Sequence, residues 1–171
     1  MKVLLVIDMQ NDFISGTLGS PEAQAIVERV AAKIKDFDGQ VWATRDTHEE
    51  NYLSTAEGRK LPVAHCIRGT AGHEIHPEIK KLLTTPPIDK KTFGSTELGG
   101  LLVSLHQEER IESITLVGVC TDICVISNAL LAKAFLPEIP VLVDSSCCAG
   151  TSPESHKRAL EAMAVCQIEI V

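Results

Sequence analysis

Three residue types that can act together in nucleophilic catalysis lie where predicted strands end: a thiol, a carboxylate and an amine. Cys124 follows the apolar segment 114–119 and lies in the first turn of a helix predicted over 122–136. Because helix N-termini favour the charged form of a thiol, we expect a lowered pKa for Cys124 and a nucleophilic thiolate. The alternative is a packed core cysteine, which is the commoner fate of an isolated thiol.

Asp8 and one lysine of the pair Lys90 and Lys91 are the candidates for proton transfer and charge compensation. Asp8 ends the apolar run that starts at Lys2, and carboxylates are rarely buried unless they are paired. The alternative role for Asp8 is a cap for the following loop. By sequence alone the two lysines are equal candidates. Ligands of open α/β sheets bind beyond the carboxyl ends of the strands, so we expect these groups at one sheet edge.

A second set of residues has the composition of a metal site. Asp46 and His48 follow a predicted strand, and their spacing of two places both side chains on the same side of an extended segment. With a third imidazole, from His65, His73 or His76, they would suit zinc or another divalent transition metal. The alternative is that all of these are solvated loop residues.

Predicted strands and helices alternate along the chain, which indicates one α/β domain over residues 1–171 with a mostly parallel sheet and helices on both faces. Strands are predicted at Lys2–Asp8, Gln40–Arg45, Ile88–Thr92, Ile114–Val119, Ile139–Asp144 and Gln167–Val171. Helices are predicted to begin after Ser20 and Ser152 and to cover 77–83, 97–107 and 122–136. Residues 46–76 are predicted to be irregular, and a loop of that length in a compact domain is usually functional.

Composition and charge argue against a nucleic-acid-binding protein and against a membrane protein. Hydrophobic residues make up 44% of the 171 residues and the net charge is −7. A nucleic-acid partner is not expected, because a phosphate footprint needs clustered Lys and Arg. The N-terminal apolar run is short and ends in an acid, and no segment is long enough to cross a bilayer. We therefore expect a soluble, cytoplasmic protein whose six cysteines are thiols.

These motifs together resemble those of isochorismatase-like cysteine hydrolases. Residues 7–13 (IDMQNDF) resemble the opening motif of that family, 89–93 (DKKTF) its lysine segment and 118–125 (GVCTDICV) its nucleophile turn. The motifs occur in family order and the match covers essentially the whole chain. The resemblance implies a three-layer α/β/α sandwich around a six-stranded, mostly parallel sheet, and a cis peptide between Val119 and Cys120.

The resemblance also implies a mechanism. Cys124 would form a thioester with the acyl group of a small amide, Asp8 would transfer the protons, and Lys90 rather than Lys91 would compensate the charges. Backbone N–H groups of Cys120 and Cys124 would form the oxyanion hole.

Within the family, residues 46–48 (DTH) and 65–66 (HC) resemble the metal-binding pattern of the nicotinamidase/pyrazinamidase branch. The resemblance implies a divalent metal held by Asp46, His48 and His65, with zinc expected and iron or manganese as alternatives. We expect Phe13 and Tyr52 to line the substrate pocket. The expected partner is a small amide, with neither nucleic acid nor membrane, and the chain is expected to form a homo-oligomer.

Three segments depart from the nicotinamidase pattern. Residues 61–64 (LPVA) lack the Trp that commonly precedes the second metal His, residues 51–52 (NY) replace a further His of some members, and 94–96 (GST) differ from the usual continuation after the lysine. These differences leave open a metal-independent relative acting on another small amide, a carbamoyl compound or an isochorismate-type vinyl ether. A non-catalytic binding module on the same fold is the alternative from another class.

Overall fold

A computed structural model describes all residues of the chain, 1–171. The strands are β1 Lys2–Ile7, β2 Gln40–Asp46, β3 Ile88–Lys90, β4 Ser113–Val119, β5 Val141–Ala149 and β6 Glu169–Ile170. The helices are α1 Asn11–Ile14, α2 Pro21–Asp36, α3 Ala56–Lys60, α4 Pro77–Lys80, α5 Thr96–Glu108, α6 Ile126–Phe135 and α7 Pro153–Val165. No helix has both the length and the apolar composition that crossing a membrane requires.

The six strands form one parallel sheet in the order β3-β2-β1-β4-β5-β6. The predicted α/β class with a six-stranded sheet is therefore confirmed. The chain runs outward from β1 to β3 on one side and from β4 to β6 on the other. This reversal between β1 and β4 creates a crevice at their carboxyl ends, where ligands of such sheets bind.

Helices cover both faces of the sheet, as a three-layer sandwich requires. Along β1, Val3, Leu5 and Ile7 face a core cluster shared with α5, α6 and α7. Leu4 and Val6 face the opposite cluster, which α2 completes. A strand buried on both faces has no polar face, which is why β1 appears in the sequence as a continuous apolar run.

Two of the longer helices begin where the sequence predicts. The Ser20 hydroxyl accepts a hydrogen bond from the Ala23 amide at 3.1 Å, and the Ser152 hydroxyl accepts one from Ser155 at the same distance. In each helix a proline follows the capping serine. The cap satisfies an amide that has no partner in the first helical turn, so both starts are set locally.

The fifth strand is longer than predicted. It extends past Asp144 to Ala149, through two serines that interrupt the apolar pattern. Its pairing with β4 shifts register between Leu116 and Gly118 and then continues, with Gly118 opposite Cys148. The prediction that this strand ends at Asp144 was wrong. Residues after Asp144 remain in the strand because they pair with β4, although their sequence lacks an apolar pattern.

Two further predictions are corrected. The segment 46–76 is not irregular throughout, because it contains a 3₁₀ turn at Tyr52–Ser54 and helix α3. The Thr55 hydroxyl accepts a hydrogen bond from the Gly58 amide at 3.0 Å and so caps α3. The helix predicted to start at Asp122 begins instead with a π-helical turn over Thr121–Val125, and α6 follows it.

Candidate active site

The structure brings Asp8, Lys90 and Cys124 together at the carboxyl edge of the sheet. The Lys90 amine lies 2.6 Å from Asp8 Oδ2 and 3.5 Å from the Cys124 sulfur. All three side chains are buried. Asp8 adopts φ 48° immediately after β1, a left-handed conformation that is costly for a residue with a side chain and is typical of functional sites.

Lys90 and Lys91 point in different directions. Lys90 closes β3 and is 3% exposed, whereas Lys91 is at the surface. Burial by itself would lower the pKa of Lys90, but the negative charges of Asp8 and Asp46 and the hydrogen bond to Asp8 outweigh it and raise that pKa. Lys90 therefore remains an ammonium group, which supplies a positive charge next to both the carboxylate and the thiol.

Asp8 is held in place by Thr44 on the neighbouring strand. The Thr44 hydroxyl donates to Asp8 Oδ1 at 2.7 Å, and the Asp8 amide donates to the same hydroxyl oxygen at 3.3 Å. Burial raises the pKa of Asp8 above its usual value, although Lys90 and Thr44 oppose the rise. A carboxylate with a raised pKa binds a proton more readily, which suits a group that must both accept and return one.

The environment of Cys124 corrects the expectation of a lowered pKa. Burial first, and then the negative charge of Asp8, raise the pKa of this thiol well above its usual value, while Lys90 acts in the opposite direction. Position at a helix start does not outweigh the desolvation of a thiol that is only 5% exposed. The thiol is therefore protonated at rest and needs a base, and Asp8 is the nearby carboxylate.

The turn that carries the nucleophile begins with a cis peptide between Val119 and Cys120. The Cys120 amide makes no hydrogen bond within the chain, and both Cys120 and Cys124 line the same cavity. An unpaired amide next to the nucleophile can stabilise an oxyanion. Burial raises the pKa of the Cys120 thiol to about 12, so this second sulfur is neutral.

The predicted metal ligands converge, and a fourth residue joins them. Asp46, His48, Glu57 and His65 each present one donor atom, and the four atoms lie within 4.8 Å of one another. The His48 Nε2 lies 2.9 Å from Asp46 Oδ2 and 3.6 Å from Glu57 Oε1. The His65 Nε2 lies 3.7 and 3.8 Å from the same two oxygens.

Donor atoms around a divalent transition metal have comparable separations. With bonds of about 2.0–2.2 Å to nitrogen and oxygen, neighbouring ligand atoms stand roughly 3.0–3.6 Å apart. The His65 Nδ1 contacts the Val63 carbonyl oxygen at 2.8 Å, which places the proton on that nitrogen and turns the Nε2 lone pair toward the cluster. The buried His48 Nε2 makes no well-oriented hydrogen bond, although it lies 2.9 Å from Asp46 Oδ2. These residues fit a metal ion.

The other two candidate imidazoles lie outside the cluster. His73 Nε2 pairs with the Thr47 hydroxyl at 2.8 Å, and His76 Nδ1 accepts a hydrogen bond from the Glu78 amide at the start of α4. Both side chains therefore have structural partners of their own, and the sequence alternatives to His65 are excluded as ligands of this cluster.

The backbone of Asp46 is fixed by a buried side chain from the first motif. Gln10 Oε1 accepts a hydrogen bond from the Asp46 amide at 2.7 Å, and Gln10 Nε2 donates to the Asp46 carbonyl at 2.8 Å. The same Nε2 donates to the His73 carbonyl at 2.9 Å. Gln10 thus joins the end of β2 to the loop that follows it.

A cavity of about 880 Å³ opens from Cys124 and the donor cluster to the surface. Phe13 lines it, as expected, and its ring centroid is 5.5 Å from that of His65. Tyr52 does not line it. The Tyr52 ring is buried behind the imidazoles of His48 and His65, with its hydroxyl donating to the Leu61 carbonyl. It supports the cluster and lies away from the space where a substrate would bind.

Two residues of the site were missed by sequence reasoning. Glu57 is one of several acids in the loop that carries the ligands, so residue type could not single it out. Glu57 lies close to His48 only because residues 56–60 fold into helix α3. Thr44 is an inconspicuous threonine inside β2, and its position beside Asp8 depends on the parallel pairing of β1 with β2.

Comparisons with known proteins identify the family and agree with the fold. A family model described as the isochorismatase domain matches residues 2–171. A nicotinamidase/pyrazinamidase of Mycobacterium tuberculosis is 29% identical over 100% of this chain and 98% of its own length. An isochorismatase family protein of Bacillus subtilis is 31% identical over 93% and 92% of the two chains. A crystal structure of Pyrococcus horikoshii pyrazinamidase in complex with zinc is 30% identical, with a TM-score of 0.80, over 99% of this chain and 98% of that one.

Proposed function

This chain belongs to the isochorismatase family, and on that premise we propose that it is an amidohydrolase that cleaves a small amide through a thioester on Cys124. The single observation that carries the proposal is the buried arrangement of thiol, carboxylate and ammonium group at the switch point of the sheet. Relatives named nicotinamidase and pyrazinamidase support an amide of a small ring acid as the substrate class.

In the first half of the reaction Asp8 takes the proton of the Cys124 thiol as the sulfur attacks the amide carbonyl carbon. Lys90 compensates the negative charge that moves between the two groups. The backbone amides of Cys120 and Cys124 stabilise the oxyanion. Asp8 then returns the proton to the amine, the C–N bond breaks, and ammonia leaves a thioester on the sulfur.

In the second half water replaces ammonia. Asp8 removes a proton from the water as the oxygen attacks the thioester carbonyl, and the C–S bond breaks to release the carboxylic acid. The sulfur then recovers its proton from Asp8. The same carboxylate thus acts as base and acid in both halves, which its raised pKa and its contact with Lys90 permit.

We propose that Asp46, His48, His65 and Glu57 hold a divalent metal, with zinc as the expected ion. When bound, this ion would supply a Lewis acid that can orient and polarise a substrate atom. The compact donor set favours this proposal over the metal-independent alternative. The chain's own contribution is to hold the four donors together on β2, α3 and the following loop.

The proposal is tested by ammonia release from nicotinamide, pyrazinamide and other small primary amides, with metal content measured in the same sample. We expect turnover that Asp8→Asn and Lys90→Met each lower by about 10²–10⁴-fold, the range that general acid–base catalysis supplies. The surface substitution Lys157→Met is the matched lysine control. Lack of ammonia from every amide, or equal small effects of Lys90→Met and the control, would contradict the proposal.

A further inference from the structure

The cavity is larger than a small amide bound beside Cys124 would fill. Its volume of about 880 Å³ lies in the upper part of the range of roughly 300–1,000 Å³ found for pockets that hold drug-sized ligands. A one-ring carboxamide placed between Cys124 and the donor cluster would occupy a small part of this space. The remainder leads to the outer rim of the cavity, so the character of that rim indicates what else the substrate carries.

Apolar side chains stand exposed on the rim. Leu61 is 37% exposed and Phe93 is 44% exposed, and both line the cavity. The Phe93 backbone is held in place because its carbonyl accepts a hydrogen bond from Asn128, whose amide also donates to the Cys124 carbonyl. Pockets for small molecules are lined largely by apolar and aromatic side chains. This part of the rim suits an apolar portion of the substrate.

Each of these apolar residues has a lysine close by in the chain. Lys60 precedes Leu61 at the end of α3, and Lys91 lies two residues before Phe93 after β3. Both lysines line the cavity, both are exposed, and neither forms an ion pair. The carboxylates in the lining, Asp46 and Glu57, belong to the donor cluster.

Lys60 and Lys91 are therefore the cations that face the cavity, on a chain whose net charge is −7. Positive groups around a cleft raise the local concentration of anions. We propose, resting on the amidohydrolase function above, that the substrate is an amide with an apolar body and an anionic group at the end remote from the scissile bond. Lys60 and Lys91 bind the anion, Leu61 and Phe93 contact the body, and the amide reaches Cys124.

The test is a matched series of primary amides assayed with the metal-loaded protein. One set is the monoamides of linear dicarboxylic acids of increasing length, and the other is the straight-chain amides of equal length that end in a methyl group. We expect the wild type to prefer the carboxylated member in kcat/KM at an optimal length, mainly through a lower KM. Because the rim is solvated, this preference should weaken as salt is added.

Lys60→Met and Lys91→Met identify the binding groups. Exposed ion pairs contribute modestly, so we expect each change to lower the ratio of carboxylated to neutral kcat/KM about two- to fivefold, and the double change to lower it about tenfold. Lys157→Met, outside the cavity, should leave the ratio unchanged. Turnover of neutral and carboxylated amides with the same kcat/KM, or a ratio that the double change does not move, would overturn this inference while leaving the amidohydrolase proposal intact. Absence of turnover with all amides would overturn both.

Discussion

At the scale of single residues, the site depends on how burial changes the chemistry of ordinary side chains. Asp8 and Cys124 both have raised pKa values because they are withdrawn from water. Lys90 keeps its charge because acids surround it. In the proposed mechanism, a thiol that is neutral at rest and a carboxylate that binds protons readily would form a pair whose proton passes from sulfur to oxygen during attack and back afterwards.

The two cysteines of the nucleophile turn should differ sharply. We expect Cys124→Ala to abolish turnover, because the nucleophilic sulfur is lost. We expect Cys120→Ala to retain most of it, because the reaction uses only the backbone amide of residue 120. Initial rates of ammonia release and intact-mass trapping with an electrophilic amide analogue measure the two effects. Full activity of Cys124→Ala, or trapping on Cys120, would refute the assignment.

Thr44 should act through Asp8 and therefore affect the pH dependence. Its hydrogen bond lowers the pKa of Asp8 against the larger effect of burial. Thr44→Val removes the bond, so that pKa rises further and the acid limb of kcat/KM against pH moves to higher pH. Thr44→Ser keeps the hydroxyl and should restore the wild-type limb. If Thr44→Val lowered kcat/KM by the same factor at every pH and did not shift the acid limb, Thr44 would have only a packing role.

At the scale of elements, the site depends on how closely β1 and β4 approach each other. Gly118 has φ 118°, and a Cβ built there would lie 2.1 Å from the Ile7 carbonyl oxygen. Only glycine therefore lets the end of β4 lie beside the end of β1, where Asp8 and the nucleophile turn begin. The contact between β1 and β4 at the candidate site is thus set by one residue without a side chain.

We expect Gly118→Ala to lower the free energy of unfolding by roughly 2–4 kcal/mol, because overpacking and an unfavourable backbone conformation add. Gly100→Ala in α5 is the control, since nothing lies within 4 Å of its added methyl group. It should be neutral or stabilising by up to about 1 kcal/mol. Chemical denaturation of both variants measures the difference. Equal stabilities of the two variants would contradict the close approach.

At the scale of the whole molecule, the donor cluster brings together side chains from three parts of the chain. Asp46 lies on β2, Glu57 on α3, and His65 in the loop beyond it. A metal that binds the folded chain and not the unfolded one stabilises it by mass action. Global stability should therefore report on occupancy of the site independently of catalysis.

Zinc at 100 times its dissociation constant contributes about 2.7 kcal/mol, which for a chain of this size corresponds to a Tm increase of roughly 5–10 °C. We expect His48→Ala to abolish this increase and Glu57→Gln to reduce it. His76→Ala, in the same region but outside the cluster, should preserve it. Differential scanning calorimetry with and without zinc measures the shift. A Tm independent of zinc in the wild type would rule out the proposed site.

The sequence by itself determined the α/β class, the order of the strands and the longer helices, and the family. Each of these depends on local information: apolar runs such as Leu4–Ile7 mark strands buried on both faces, and serine caps followed by proline mark helix starts. The candidates Asp8, Cys124, Asp46 and His48 were also accessible, because strand ends in such a sheet meet at one edge. The choice of Lys90 over Lys91 relied on the family motif.

Only the tertiary structure decided the rest. Glu57 is part of the donor cluster, and Thr44 contacts Asp8, because segments distant in sequence lie side by side. For the same reason Tyr52 packs behind His48 and does not line the cavity. The tertiary structure also decided the direction in which the pKa of Cys124 shifts. A helix start is visible in sequence and favours the thiolate, but desolvation depends on every neighbour that excludes water. In this buried site desolvation is the larger effect.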